Sequence, residues 1–392
     1  IIVSDRDLFK YYSLFFEDEN FSTLQLEAKI LLLRSFSEML SSDFVKIESA
    51  FQQEAFGAEG YKTAEEAAVF ATQAEMSDYL DELYVRQYFS SEAIQDVAYM
   101  ALSFVDVYKN RIAALDWMSQ STKQTAIKKL NTLKFKIGYP DSWTSPLDNV
   151  NISGAVYGEN NYYNNYCAIS RRKHEDNVAL QNTKPDNSGW PMHAYEVNAS
   201  YSATSNEIVI PAGILQPPFY STSAGYEKNL AGIGFIIAHE ITHCFDNFGA
   251  KYDEQGNANK WWNRSDYEKF GALCDKVATY YHNREVSPGI LNNGHLTLSE
   301  NIADLGGIAC VLQTLAKQKT VDYKRFFESF AASMYRTGSR EYFIYLSQVD
   351  VHSADKIRIN RTISCFEEFY QAYGITQNDG MYVPPENRVQ IW

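Results

Sequence analysis

Apolar residues recur at mixed steps of three and four through much of the first third of the chain. Leu24, Leu26, Ile30, Leu33, Phe36 and Leu40 make one such stripe, and Ile94 to Leu115 carries another. That spacing marks helices with one buried face, and Ser121 to Leu133 continues it. Helices are therefore predicted from about residue 24 to residue 135. Gly138-Tyr-Pro140-Asp141 ends the run, because glycine and proline together favour a turn. Asp141 to Asn151 is rich in turn formers, so a domain boundary is placed between residues 145 and 146.

The pattern then changes period. Tyr195 to Ile210 alternates, with enough β-branched residues for two strands joined at Thr204-Ser-Asn206. Pro211-Ala-Gly213 and Pro217-Pro218 interrupt regular structure. From Asn229 to Phe245 the chain reads as a helix, with Leu230, Ile233, Ile237 and Ile241 on one face. Leu298 to Leu315 and Tyr323 to Tyr335 are predicted as further helices. The longest strongly apolar stretch, Leu230 to Ala238, falls well short of the roughly 20 residues of a membrane span, so none is expected.

Composition narrows the classes. A chain of 392 residues can bury two cores, since a single core stops growing at about 250–300 residues. A net charge of -14 argues against a nucleic-acid partner, which needs a clustered basic surface. Cys167, Cys244, Cys274, Cys310 and Cys365 are few, odd in number and scattered. They read as free or buried thiols rather than a disulfide framework.

The chemistry gathers in the helix after residue 229. His239-Glu240-Ile241-Thr242-His243 puts two imidazoles on one face, about 5–6 Å apart at Cβ, within reach of one metal ion. Glu240 is turned about 100° from His239, beside the ion rather than on it. There it can take a proton from a water that zinc acidifies from a pKa of about 15.7 to about 7. Alone, a motif with three fixed positions arises by chance, and buried histidines are often only satisfied polar groups. Yet this helix is otherwise apolar, and three ionisable groups in five residues are costly unless something pairs them.

A third ligand is available in Leu298-Ser-Glu300-Asn-Ile-Ala-Asp304-Leu-Gly-Gly307. Two histidines and Glu300, with a fourth position open, form a catalytic zinc set, with one Zn2+ per chain. Asp304 lies one helical turn after Glu300 and can accept the free N–H of a ligand histidine. Glu300 also fits the N3 place of a capping box begun by Thr297. Beside the His pair, the metal reading is preferred.

Further pieces appear in order along the chain: Ile137-Gly-Tyr-Pro-Asp141, Val197-Asn-Ala199, Asn206 to Phe219, Trp261-Trp262, Val351-His352-Ser353 and Trp392. With the His motif and Glu300 to Asp304, they resemble the neprilysin / endothelin-converting-enzyme family of zinc endopeptidases, the M13 peptidases, including bacterial oligopeptidases. The resemblance implies a mainly α fold (α+β). Residues 146–392 would form a thermolysin-like catalytic domain with a small β element, and residues 1–145 part of a helical lid. It also implies an upstream segment of the same protein as a partner, beside small peptide substrates.

The resemblance implies roles for matched residues too. Asn198 and Ala199 would pair with substrate backbone by strand addition. His352 and Arg358 would stabilise the oxyanion of the tetrahedral intermediate. Ile214, Phe219, Phe235 and Ile236 would line the S1′ pocket, so that cleavage falls on the amino side of a hydrophobic residue. Three positions depart from the pattern. Ser200 replaces an aromatic residue after Asn-Ala, and Cys244 stands where a small residue is usual. Arg388-Val-Gln-Ile-Trp392 lacks the cysteine of animal ectoenzymes. Asn198-Ala-Ser200 would also risk a sugar at the substrate edge in a eukaryotic secretory pathway. A bacterial protein without disulfides is expected, with the cytoplasm ahead of the cell surface or the medium.

Other readings are a thermolysin-type protease, which lacks the block from Pro211 to Pro218, and a peptide-binding or adhesin protein, which has no use for Glu240. A dinucleotide fingerprint at Gly232-Ile-Gly234 fails for want of a third glycine and a preceding strand.

Overall fold

The structure, a computed structural model, describes residues 6–57, 63–143, 145–153, 161–181, 183–184 and 188–392. Thr144, in the turn-rich stretch, lies outside them. Helices dominate in the first part: α1 Arg6–Phe15, α2 Phe21–Ser35, α3 Ser42–Phe56, α4 Ala64–Glu75, α5 Ser77–Tyr88, α6 Glu92–Ala114 and α7 Gln120–Asn131. Strand β1 Lys134–Gly138 and helix α8 Asn161–Ala179 follow, then strands β2 Ser200–Ser202 and β3 Glu207–Pro211. The remainder holds α9 Tyr226–Asn229, α10 Phe235–Thr242, α11 Arg264–Tyr281, the short pair β4 Glu285–Ser287 and β5 Ile290–Leu291, and α12 Leu298–Leu315. It ends with α13 Tyr323–Met334, α14 Arg340–Val349, α15 Asp355–Ile363 and α16 Glu367–Tyr373. The fold is mainly α, as expected.

The chain forms two compact units, Ile1–Glu75 with Pro146–Gln181 and Met76–Ser145 with Asn182–Trp392. This division departs from a single cut between residues 145 and 146, and α6 shows why. Its Val97, Ala101, Phe104, Val105, Tyr108 and Ile112 are buried in the same core as α10 and α12. The Tyr108 hydroxyl donates to Ala238 O at 2.8 Å. A helical stripe says that one face is buried, but not against what. In the first unit α2 forms where the stripe predicts, yet Leu26, Ile30 and Leu33 are exposed.

The small sheet runs in the order β1-β3-β2, with β1 parallel and β2 antiparallel to β3. The β2–β3 turn rests on Asn206, at φ 49°, a left-handed conformation that asparagine tolerates. Its side chain donates to Lys129 O at 3.0 Å. Strand β1 was not predicted, because Lys-Phe-Lys-Ile-Gly is brief and its partner lies far along the chain.

Between α9 and α10 the helix widens into one π turn, Leu230–Gly234. The Ile233 amide donates to Phe219 O at 2.9 Å. A Cβ at Gly232 would stand 2.2 Å from that same oxygen, so only glycine admits the approach. Elsewhere in the core Trp262 stacks on Trp117 and Phe270, and Phe270 packs on Trp392. The aromatic matches at Trp262 and Trp392 are thus packing residues.

Candidate metal centre and active site

α10 and α12 approach closely because α12 offers glycines at the crossing. A Cβ at Gly306 would lie 2.5 Å from the Thr242 side chain, and one at Gly307 would lie 3.2 Å from His239 N. Gly306→Ala should therefore push the helices apart and destabilise the protein by about 1–3 kcal/mol. Thermal unfolding measures this, and an unchanged midpoint would refute the crossing argument.

The crossing brings donors from both helices to one point. His239 Nε2 and His243 Nε2 are 3.0 Å apart. Glu300 Oε2 lies 3.1 Å from the first and 3.5 Å from the second. The far side of each ring meets a carboxylate: His239 Nδ1 is 2.9 Å from Asp304 Oδ1, and His243 Nδ1 is 2.5 Å from Asp246 Oδ2. With neutral rings so oriented, both Nε2 atoms aim lone pairs at the same spot. Glu300 Oε2 joins them, buried and in ion-pair contact with the rings but in no well-aligned hydrogen bond. A divalent cation satisfies all three atoms at once, so the residues fit zinc.

The same carboxylates favour positive charge on the two rings. Burial disfavours charge on His239 and His243, but Asp304, Asp246 and Glu300 outweigh it and raise both pKa values. Burial likewise pushes Glu300 up, yet the imidazoles of His239, His243 and His352 hold it well below the usual carboxylate range. The capping-box alternative for Glu300 fails. Thr297 makes no capping hydrogen bond, and its hydroxyl donates to Asn293 O.

Each surrounding residue has its own support. Asp304 is 0% exposed and accepts two bonds from Arg358, Nε to Oδ2 at 2.9 Å and Nη2 to Oδ1 at 2.7 Å. Burial opposes ionisation of Asp304, but the Arg358 charge wins and brings its pKa to about 2. Arg358 is therefore engaged with Asp304 through two of its three nitrogens. His352 Nε2 lies 3.2 Å from Glu300 Oε2, and its Nδ1 lies 2.9 Å from Asp350 Oδ1. Burial lowers its pKa, but Asp350 and Glu300 raise it further, to about 9. The neighbouring Ser353 is buried and donates to Asn301 Oδ1 at 2.8 Å, tying this loop to α12.

Asp246, Ser299 and Asp350 went unpredicted. Asp246 also accepts from Ser299 Oγ and from the amides of Phe248 and Gly249. It stands in the bend beyond the end of α10, where no helical period marks it. Glu240, 7% exposed, offers a carboxylate oxygen within 4.8 Å of ligand atoms of both histidines.

The substrate-edge candidates divide. Asn198 is exposed and Ala199 buried, immediately before β2, an outer strand of the small sheet. Of the pocket candidates, Ile214 and Phe235 belong to the core, Phe235 packing on Phe330 with ring centroids 4.8 Å apart. Phe219 and Ile236 are only half-buried.

Models of peptidase family M13 match residues 1–140 and 198–389. The chain belongs to peptidase family M13. Among M13 relatives, a neutral endopeptidase of Lactococcus lactis is 33% identical over the whole of this chain and 62% of its own length. Human neprilysin is 30% identical over 90% of this chain and 49% of its own. The crystal structure of PepO from Lactobacillus rhamnosis superposes with a TM-score of 0.90 at 31% identity, covering 97% of this chain and 60% of that one. A zinc metalloprotease of Mycobacterium tuberculosis, solved with an inhibitor, gives a TM-score of 0.84 at 30% identity. The chain thus spans about three-fifths of its bacterial M13 relatives. All five cysteines are free. Among the described residues no helix is long and apolar enough to cross a membrane.

Proposed function

We propose that this chain is the catalytic part of a zinc-dependent endopeptidase that hydrolyses short peptides on the amino side of hydrophobic residues. The convergence of His239 Nε2, His243 Nε2 and the buried Glu300 Oε2 carries the reading. Those three side chains would hold one zinc ion. When bound, zinc supplies Lewis acidity and an acidified water at neutral pH. Asp304 and Asp246 hold the ligand rings by their Nδ1 atoms and fix their tautomer. Glu240, beside the ligands but not opposed to either ring nitrogen by a hydrogen bond, accepts the water's proton and passes it to the leaving amine.

His352 is the group suited to the developing oxyanion. Its raised pKa keeps it cationic at neutral pH, and a fixed cation aimed at growing charge stabilises the transition state selectively. Arg358 supports the same side of the site by locking Asp304, with its remaining nitrogen available to the oxyanion. Asn198 and Ala199 would align the peptide backbone. Phe219 and Ile236, which retain exposed surface, would receive the hydrophobic side chain beyond the scissile bond, backed by Ile214 and Phe235.

Hydrolysis of a short apolar peptide, assayed with metal content, tests the proposal. Activity should vanish on chelation and return with zinc. Hydrolysis that survives complete metal removal would overturn it. His352→Phe should lower kcat by on the order of 10²–10³. The wild-type rate should fall on the alkaline side as the imidazolium held by Asp350 loses its proton, and this limb should be absent in the variant. A rise in KM with kcat unchanged would make His352 a binding residue only.

A further inference from the structure

A second group of metal-ligating side chains stands outside the site described above. Asp78 and Asp81 leave the same face of α5, three residues apart. Asp81 is 7% exposed, and burial raises its pKa against the opposing pull of His193. His193 comes from a distant segment and sits in a turn closed by its neighbours. The His193 amide donates to Glu196 Oε1 at 2.9 Å, and the Glu196 amide to His193 O at 3.0 Å.

His193 Nδ1 lies 2.9 Å from Asp81 Oδ2. One ligand atom from each of Asp78, Asp81 and His193 falls within 4.8 Å of the other two. Asp78 is steadied by Ser145 Oγ, which donates to its Oδ2 at 2.9 Å. Among the described residues, no lysine or arginine makes an ion pair with either aspartate. A carboxylate nine-tenths buried, as Asp81 is, is costly unless something pairs it, and a cation between the two aspartates would do so. Ligands about 2.0–2.2 Å from a tetrahedral ion stand roughly 3.4 Å from one another, the spacing of the His239 cluster; here His193 and Asp81 are 2.9 Å apart and all three ligand atoms lie within 4.8 Å.

We propose that Asp78, Asp81 and His193 form a second metal site, taking a zinc-type first-row divalent cation with water completing its shell. One imidazole with two carboxylates is the donor set of such ions. The role is structural. On its other side the same segment is already clamped, for Gly213 N donates to Ala194 O at 2.8 Å. A Cβ at Gly213 would stand 2.4 Å from both Tyr195 O and Glu196 O. The Tyr195 amide already donates to Asp81 Oδ1 at 3.4 Å; a bound ion would reinforce this tie to α5 and so help set the position of Asn198 and Ala199, a few residues on. The site stands independently of the hydrolase reading; only its effect on substrate affinity rests on it.

The test is metal stoichiometry after equilibration with Zn2+ or Co2+ and gel filtration. The chain should hold two equivalents. His193→Ala should hold one, and so should Asp81→Asn, which keeps the volume and a hydrogen bond to His193 but not the charge. Glu300→Ala should also hold one, retained at the second site. One equivalent in the unmodified chain, unchanged by both His193→Ala and Asp81→Asn, would overturn the proposal. Should Glu300→Ala keep both equivalents, the third-ligand assignment at the His239 cluster fails instead, and the second site stands. In peptide hydrolysis, His193→Ala should raise KM several-fold with kcat held.

Discussion

Glu240→Gln should lower kcat by roughly 10²–10⁴ while metal content and thermal stability stay as they are. The residue lies in α10 between the two histidines but is turned about 100° from the first of them. Its carboxylate is thus delivered beside the ion rather than to it. Glutamine matches the volume and fills the same nearly buried place, so neither the core nor the ligands should notice the change. What disappears is a group able to accept a proton and release it to the departing amine. Metal analysis and steady-state kinetics on one preparation decide the matter. Loss of an equivalent of metal would make Glu240 a ligand, and an unchanged kcat would leave the base elsewhere.

Glu300→Ala should remove the metal of the His239 cluster, and with it all activity. The loss of affinity should lie well beyond the roughly 10–100-fold that follows from changing an orienting group. Alanine is the best helix former, so α12 should persist, and Asp304 and Asp246 still hold the histidines from behind. The two Nε2 atoms would then face each other at 3.0 Å without the anionic oxygen that completes the set. Thermal unfolding gives a second measure. A chelator should lower the midpoint of the unmodified chain by more than that of the variant. Retention of full metal stoichiometry by Glu300→Ala would place the third ligand elsewhere.

The legible and the illegible parts of this molecule separate on physical grounds. The His239–His243 pair could be read because a shared ion demands ring positions one helical turn apart. Glu300 and Asp304 follow the same rule on α12, whose limits match the apolar run from Leu298 to Leu315. Asp246 and Asp350 act from just beyond a helix and from a loop, where no period marks them. Strand β1 exists through its pairing with β3, which a five-residue stretch cannot announce. The stripe of α6 identified a buried face but not its partner, and so the domain limit moved. The π turn before α10 follows from a carbonyl, Phe219 O, belonging to a separate segment.

Lys129 ties the neighbourhood of the metal centre to a distant part of the chain. The residue is 1% exposed, and its ammonium donates to Cys244 O, Gly249 O and Tyr252 O at 2.8–2.9 Å, fastening the chain just beyond the second histidine. The first of those bonds closes a loop of 115 residues, and the His239–Asp304 contact closes another of 65. Closures of that span are late, slow events in folding. An unfolded chain therefore contains no preformed cradle, and the free energy of ion capture is added almost entirely to that of folding. Depletion of zinc during synthesis should lower the yield of folded protein and not merely its activity.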